Sequence, residues 1–172
     1  VLDFGDRCTA CGRVDGDHAD ADCRAARCGG PDEARARGVV VGKVLYAVAV
    51  SSDSSSKSRA LVAYKTSDLS LLSVALFSYA PGVPEVPGTS ARNVICYNED
   101  DGCFYLGAAG VADKLWRMNK GSKIIVSALN FSVPLASAEG PTAVGYGKNL
   151  LYVSLSGELL RVISMSGEVR NV

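Results

Sequence analysis

The sequence predicts an all-β fold: three four-stranded units of one pattern, preceded by a small Cys-rich, loop-rich segment. Three observations carry this expectation. From residue 39 onward the chain is rich in Val, Leu, Ile, Tyr and Ser, in strand-length runs bounded by turn-forming dipeptides. The runs repeat along the chain, with a shared Tyr at positions 46, 105 and 152. Residues 1–38 differ in composition, holding Cys8, Cys11, Cys23, Cys28 and the only histidine, His18. The boundary falls where turn formers cluster, from Gly29-Gly30-Pro31 to Gly38.

Each unit opens with a hairpin. In the first, Val39–Val41 turns at Gly42-Lys43 into Val44-Leu45-Tyr46. In the second, Val94–Asn98 turns through Glu99-Asp100-Asp101-Gly102 into Cys103-Phe104-Tyr105. In the third, Ala143–Tyr146 leads through Gly147-Lys148-Asn149 to Leu150-Leu151-Tyr152. A second hairpin follows each time. Arg59–Lys65 turns at Ser67-Asp68 into Leu69–Phe77, Asp113–Asn119 at Lys120-Gly121 into Lys123–Asn130, and Glu158–Ile163 at Ser166-Gly167 into Glu168–Val172. Hydrophobic alternation is imperfect, as expected of strands covered on both faces. The units span about 39–79, 91–131 and 142–172, and the length differences sit in a Ser-rich loop (51–58) and a Pro-rich loop (80–88).

Four short strands recurring about every 45 to 60 residues fit a propeller blade better than a helical repeat. Residues 39–172 resemble β-propeller repeats of the NHL, WD40 and quinoprotein-like kinds, without the Trp-Asp pair of WD40 or the Gly-Gly pair of kelch blades. The alternative that the same turn spacing supports is a β-sandwich. A closed propeller has at least about four blades, so three units predict completion by other copies of the chain or by the remainder of a longer one. The start at Val1 rather than Met is expected of a processed product or a segment.

Cys96 and Cys103 flank a hairpin turn, and the expectation is a disulfide clamping it. Cys8, Cys11, Cys23 and Cys28 read as two disulfides of a small module with too little apolar content for a core. The competing reading is a structural zinc, because Cys8-Thr9-Ala10-Cys11-Gly12 has the form of a knuckle turn. The cysteine-rich stretch is similar to short modules of extracellular matrix and cell-surface proteins. Together with the Ser/Pro loops it resembles algal or protist surface-fibre glycoproteins such as mastigoneme components. Asp15, Asp17, Asp20 and Asp22 supply hard oxygens at short spacing, which makes them a Ca²⁺ candidate. The run lacks the central Gly and distal Glu of an EF-hand, and a solvated acidic loop is the preferred reading.

Eighteen basic and eighteen acidic residues leave no net charge to draw nucleic acid. The longest apolar run, 39–50, is too short for a membrane span and is broken by Gly42 and Lys43. A single histidine and no Gly-x-Ser-x-Gly leave a hydrolase triad nowhere to sit. Asp100 and Asp101 read as turn makers, and Trp116 as a packing residue. Asn130-Phe131-Ser132 is an N-glycosylation sequon at a strand end. The function expected is a non-catalytic structural or interaction module of an extracellular glycoprotein, in a surface or filamentous assembly and without a cofactor. The alternatives are part of a secreted propeller enzyme, or a carbohydrate- or peptide-binding module using the loops at 51–58 and 80–90.

Overall fold

Strand-forming runs punctuated by Gly, Asn, Asp and Ser fold into antiparallel hairpins, and the hairpins join into three sheets. The computed structural model describes residues 38–50, 58–87, 93–135, 140–155 and 158–171, all within the unit Ala36–Val172. Sheet A comprises β1 (Gly38–Val41), β2 (Val44–Val50), β3 (Arg59–Lys65) and β4 (Leu71–Leu76) in chain order. After β4 in the chain comes the two-residue β5 (Ser78–Tyr79). Sheet B is built from β6 (Asn93–Asn98), β7 (Cys103–Ala108), β8 (Lys114–Asn119) and β9 (Ile124–Asn130), again in chain order. Sheet C holds β10 (Pro141–Gly147), β11 (Leu150–Leu155), β12 (Glu158–Ser164) and β13 (Val169–Asn171).

The turns follow from their residues. Gly42 supplies a positive φ of 62° at the β1–β2 turn, and Gly102 one of 67° where the β6–β7 loop ends. At the β10–β11 turn both central residues, Lys148 and Asn149, have positive φ. That is the primed geometry whose twist suits a two-residue hairpin.

One boundary differs from expectation. The first unit ends at Leu76, because Ser78 and Tyr79 cross over and pair in parallel with Ile124 and Ile125 on the outer edge of sheet B. The predicted Pro-rich loop also behaves differently from a free linker over 81–87. Val86 is buried in the core, the Arg59 guanidinium donates to its carbonyl at 2.8 Å, and the Trp116 indole donates to the Pro84 carbonyl at 2.8 Å. Burial of a Trp with its one donor satisfied fixes the segment as a strap across sheet B.

The sheets stack in the order A, B, C, and they approach through their first strands, with β6 against both β1 and β10. Side chains of sheet B alternate between two cores. Ile95, Phe104, Leu106, Trp116 and Met118 face sheet A and meet Tyr46, Leu61 and Ala63. Cys96, Cys103, Tyr105 and Leu115 face sheet C and meet Leu151, Val153, Leu155 and Ile163. The middle sheet is thus covered on both faces, which explains its imperfect hydrophobic alternation.

Candidate functional site

Two features stand out chemically: a polar rim beside sheets B and C, and a set of exposed apolar side chains on the outer strands of sheet A. The rim is organised by Asp101 in the β6–β7 turn. Asp101 Oδ1 accepts from the Cys103 backbone N–H at 2.9 Å, the Asx-type bond that makes the turn. Its Oδ2 accepts from the Tyr105 hydroxyl at 2.8 Å and from Arg117 Nε at 2.9 Å. Tyr105 and Arg117 stand directly opposite one another on β7 and β8, so the register brings both to the same carboxylate. Burial, reinforced by the bond to Asp101, holds the Tyr105 phenol well above its usual range. Next to this group, the Tyr146 hydroxyl of sheet C donates to Asp100 Oδ2 and lies 3.0 Å from Asn149 Oδ1. The bond to the Asp100 carboxylate is the main cause that pushes Tyr146 up to about 12. A cleft of about 390 Å³ opens beside these groups, between Asn98, Asp100, Arg117 and Asn149.

This arrangement ties the β6–β7 turn to β7 and β8, and the Tyr146–Asp100 bond links that turn to sheet C. The three bonds given to the Asp101 carboxylate are charge-assisted or turn-forming, and both phenols are bound as proton donors rather than poised to lose a proton.

The cysteines of the turn are both free thiols, and both are buried. The expected clamp does not form because the register pairs Cys96 with Tyr105 and Asn98 with Cys103. The two cysteines are therefore diagonal neighbours on one face, where side chains stand roughly 7–8 Å apart, beyond disulfide reach. Burial pushes the Cys96 thiol up to about 12 and the Cys103 thiol upward as well, with Asp101 adding to it. Such thiols are poor nucleophiles.

Asn130 is exposed at the end of β9, while Ser132 of the same sequon is tied to sheet C, its hydroxyl accepting from the Val169 N–H at 3.1 Å. Cys8, Cys11, Cys23, Cys28 and the run Asp15, Asp17, Asp20, Asp22 lie outside the described residues, as do 51–57 of the Ser-rich loop. Among the described residues no group of three or more His, Cys, Asp or Glu side chains could hold a metal, and no helix is long and apolar enough to cross a membrane.

The face of sheet A turned away from sheet B was not singled out by sequence reasoning. Cross-strand pairing puts Val40, Leu45 and Ala47 on it, then Ala60 and Val62, then Val74 and Leu76. Ala60 and Val62 at its centre are buried, but Val40 is 57% exposed, Val74 39% and Leu76 56%. Leu71 and Leu72 of β4 are half exposed too, at 51% and 52%. A run of this kind on an outer strand is unusual, since solvent-facing sheet surfaces alternate with polar residues. The signal in the sequence was Leu71-Leu72-Ser73-Val74-Ala75-Leu76 with no charge in it.

A second concavity, about 410 Å³, runs between the strap at Pro84–Pro87 and the turn Gly110–Lys114, with Trp116 at its floor.

Neither a protein-family model nor a curated protein sequence matches the chain. Among solved structures it is similar to hydrazine synthase of Kuenenia stuttgartiensis, with a TM-score of 0.48 and 13% identity over 78% of this chain. The match covers 34% of that chain, so this protein spans about a third of its length.

Proposed function

We propose that the chain is a non-catalytic interaction module made of three propeller-like blades, one or more short of a ring. Meander sheets that meet along their first strands, as β1, β6 and β10 do, favour blades over a two-layer sandwich. The observation that carries the functional reading is a contrast. The charged rim is bonded within itself, whereas Val40, Leu71, Leu72, Val74 and Leu76 leave apolar side chains 39–57% exposed on the outer strands of sheet A. Apolar patches of this kind serve contact with another protein surface. An extracellular, glycosylated setting belongs to the same proposal, supported by the four N-terminal cysteines and by the exposed Asn130; Ca²⁺ at the acidic run is its metal candidate.

An apolar fluorescent probe tests the interaction reading. The dilute chain should bind it, and Val74→Glu should reduce the signal at least twofold; a chain that binds none has no such face to offer. Production through a secretory route tests the setting. The intact mass should exceed that of the bare polypeptide and fall on Asn130→Gln.

The strap groove supports a second reading, a carbohydrate- or peptide-binding module, since its Trp116 floor and Pro walls fit a flat apolar ligand face. Glycan-array binding by the single chain, lost on Glu85→Ala or Lys114→Ala, would favour it.

A further inference from the structure

The second hairpins of sheets A and B turn in the same way but differ in charge. In each, one residue closes the turn by donating its N–H to a carbonyl four residues back at 2.9 Å, Leu69 to Lys65 and Lys123 to Asn119. Both are held at positive φ, 56° and 60°, where Gly or Asn is usual and a bulky side chain is disfavoured. In sheet A the turn is neutral, since Asp68 pairs with Lys65 at 3.3 Å and the strained position holds Leu69. In sheet B the turn reads Asn119-Lys120-Gly121-Ser122-Lys123 and contains no carboxylate. The Asn119 side chain shapes it instead, Oδ1 accepting from the Ser122 N–H at 2.9 Å.

The turn places two ammonium groups over one aromatic cluster. Lys120 Nζ lies 5.2 Å from the centre of the Tyr97 ring, and Lys123 Nζ 5.3 Å from that of Tyr46. Both rings pack on Phe104, at 5.3 and 4.8 Å. Lys123 Nζ also donates to the Lys120 carbonyl. The Lys120 N–H donates to the Gly102 carbonyl at 3.2 Å, which fixes the turn against the β6–β7 loop. Both lysines are half-buried. Burial lowers the Lys123 ammonium from its usual range, and the Lys120 charge adds to it. Two like charges held together in partial burial disfavour one another, and the ring faces offset only part of that. An anion shared by both would remove it.

We propose that Lys120 and Lys123 form a binding site for a sulfate or phosphate ester group, whose oxygens accept from both ammonium groups at the edge of the Tyr46–Phe104–Tyr97 cluster. Two separate point-charge donors suit a tetrahedral oxyanion with several free oxygens, whereas a carboxylate is matched by the planar fork of a guanidinium. The backbone supports the same assignment. Asn would adopt the φ of 60° more easily but would bring no charge, and strain of this kind is kept where a particular side chain is needed. The site is independent of the exposed apolar residues of sheet A and adds a ligand of stated chemistry to the interaction module.

The test is a titration of the full chain with inorganic sulfate, inorganic phosphate, glucose 6-sulfate and glucose 6-phosphate, followed through the NMR signals of the lysine side chains. At least one ester should shift Lys120 and Lys123 together, saturably, at millimolar concentration, and the ester that does so identifies the source of the group. Sodium chloride at equal ionic strength should not, because it only screens. Lys120→Gln and Lys123→Gln should each weaken binding about tenfold, the worth of one charge-assisted contact, while Lys65→Gln should leave it unchanged. Lys123→Asn should lose the ester yet raise the unfolding midpoint in anion-free buffer, since it relieves both the φ and the like charge. A lower midpoint would mean that the lysine serves packing on Tyr46, and overturns the proposal. So do the absence of a saturable shift, shifts that sodium chloride reproduces, saturation by the free ions with neither ester, and binding that survives both glutamine variants.

Discussion

Asp101 joins a turn and a strand pair of sheet B through one carboxylate. Asp101→Ala leaves Tyr105 and Arg117 without their shared acceptor, and partly buried donors left so cost about 1–3 kcal/mol; urea denaturation should show that loss. Cys96 yields a pH prediction. Its thiol is raised from 9.0 to about 12 by burial. Below pH 9 both folded and unfolded chains keep the proton. Between the two values the unfolded chain has lost it while the folded one holds it, so stability falls as pH rises, by at most about 1.4 kcal/mol per pH unit. Cys96→Ala should flatten that alkaline fall, and the native thiol should resist a disulfide reagent until the protein unfolds. At this scale the sequence was half legible. Asp100 and Asp101 could be read as turn makers from their place before Gly102. The meeting of Asp101 with Tyr105 and Arg117 could not, because it depends on which residue of β8 stands opposite which of β7. The same dependence on register undid the Cys96–Cys103 pairing.

The hairpins were the most legible elements. Arg59–Lys65 is the predicted third strand of the first unit, and strand ends elsewhere match within a few residues, because Gly and Asn-rich turns interrupt otherwise continuous apolar runs. β5 was not legible: two residues carry no period, and their partner is a parallel strand of another sheet. The strap was misread for a related reason, since proline content reports stiffness and says nothing of what Val86 is buried against. Two substitutions test elements. Leu69, in the β3–β4 turn, is exposed and has φ of 56°. Leu69→Asn should raise the unfolding midpoint, a gain of about 0.5–1 kcal/mol, because Asn tolerates the left-handed region. Gly107 lies where sheets B and C press together, and a Cβ there would come within 2.6 Å of Pro141 and of Val94. Gly107→Ala should therefore cost about 1–3 kcal/mol through overpacking, seen as a lower melting temperature.

Across the whole molecule, burial is uneven. β7 is buried along its whole length and β8 is buried or half-buried throughout, whereas β4 is exposed at five of six residues, so amide exchange should be slowest in β7 and β8 and fastest in β4 and the short β13. The repeat announced that three like units exist. It did not announce that the outer face of the first is apolar, because no pattern within a strand tells which of its faces another sheet will cover. β5 has one more consequence. It occupies the outer edge of β9, whereas β4, over Leu71–Leu76, is the last strand of its sheet among the described residues. An uncharged, proline-free edge segment of six residues that pairs with no further strand among the described residues is a template for cross-β growth. Left uncovered, this strand should seed fibrils that bind thioflavin. Ser73→Lys, which sets a charge on the edge, should lengthen the lag before they appear. What shields the strand in a natural setting would then act as much against misassembly as for assembly.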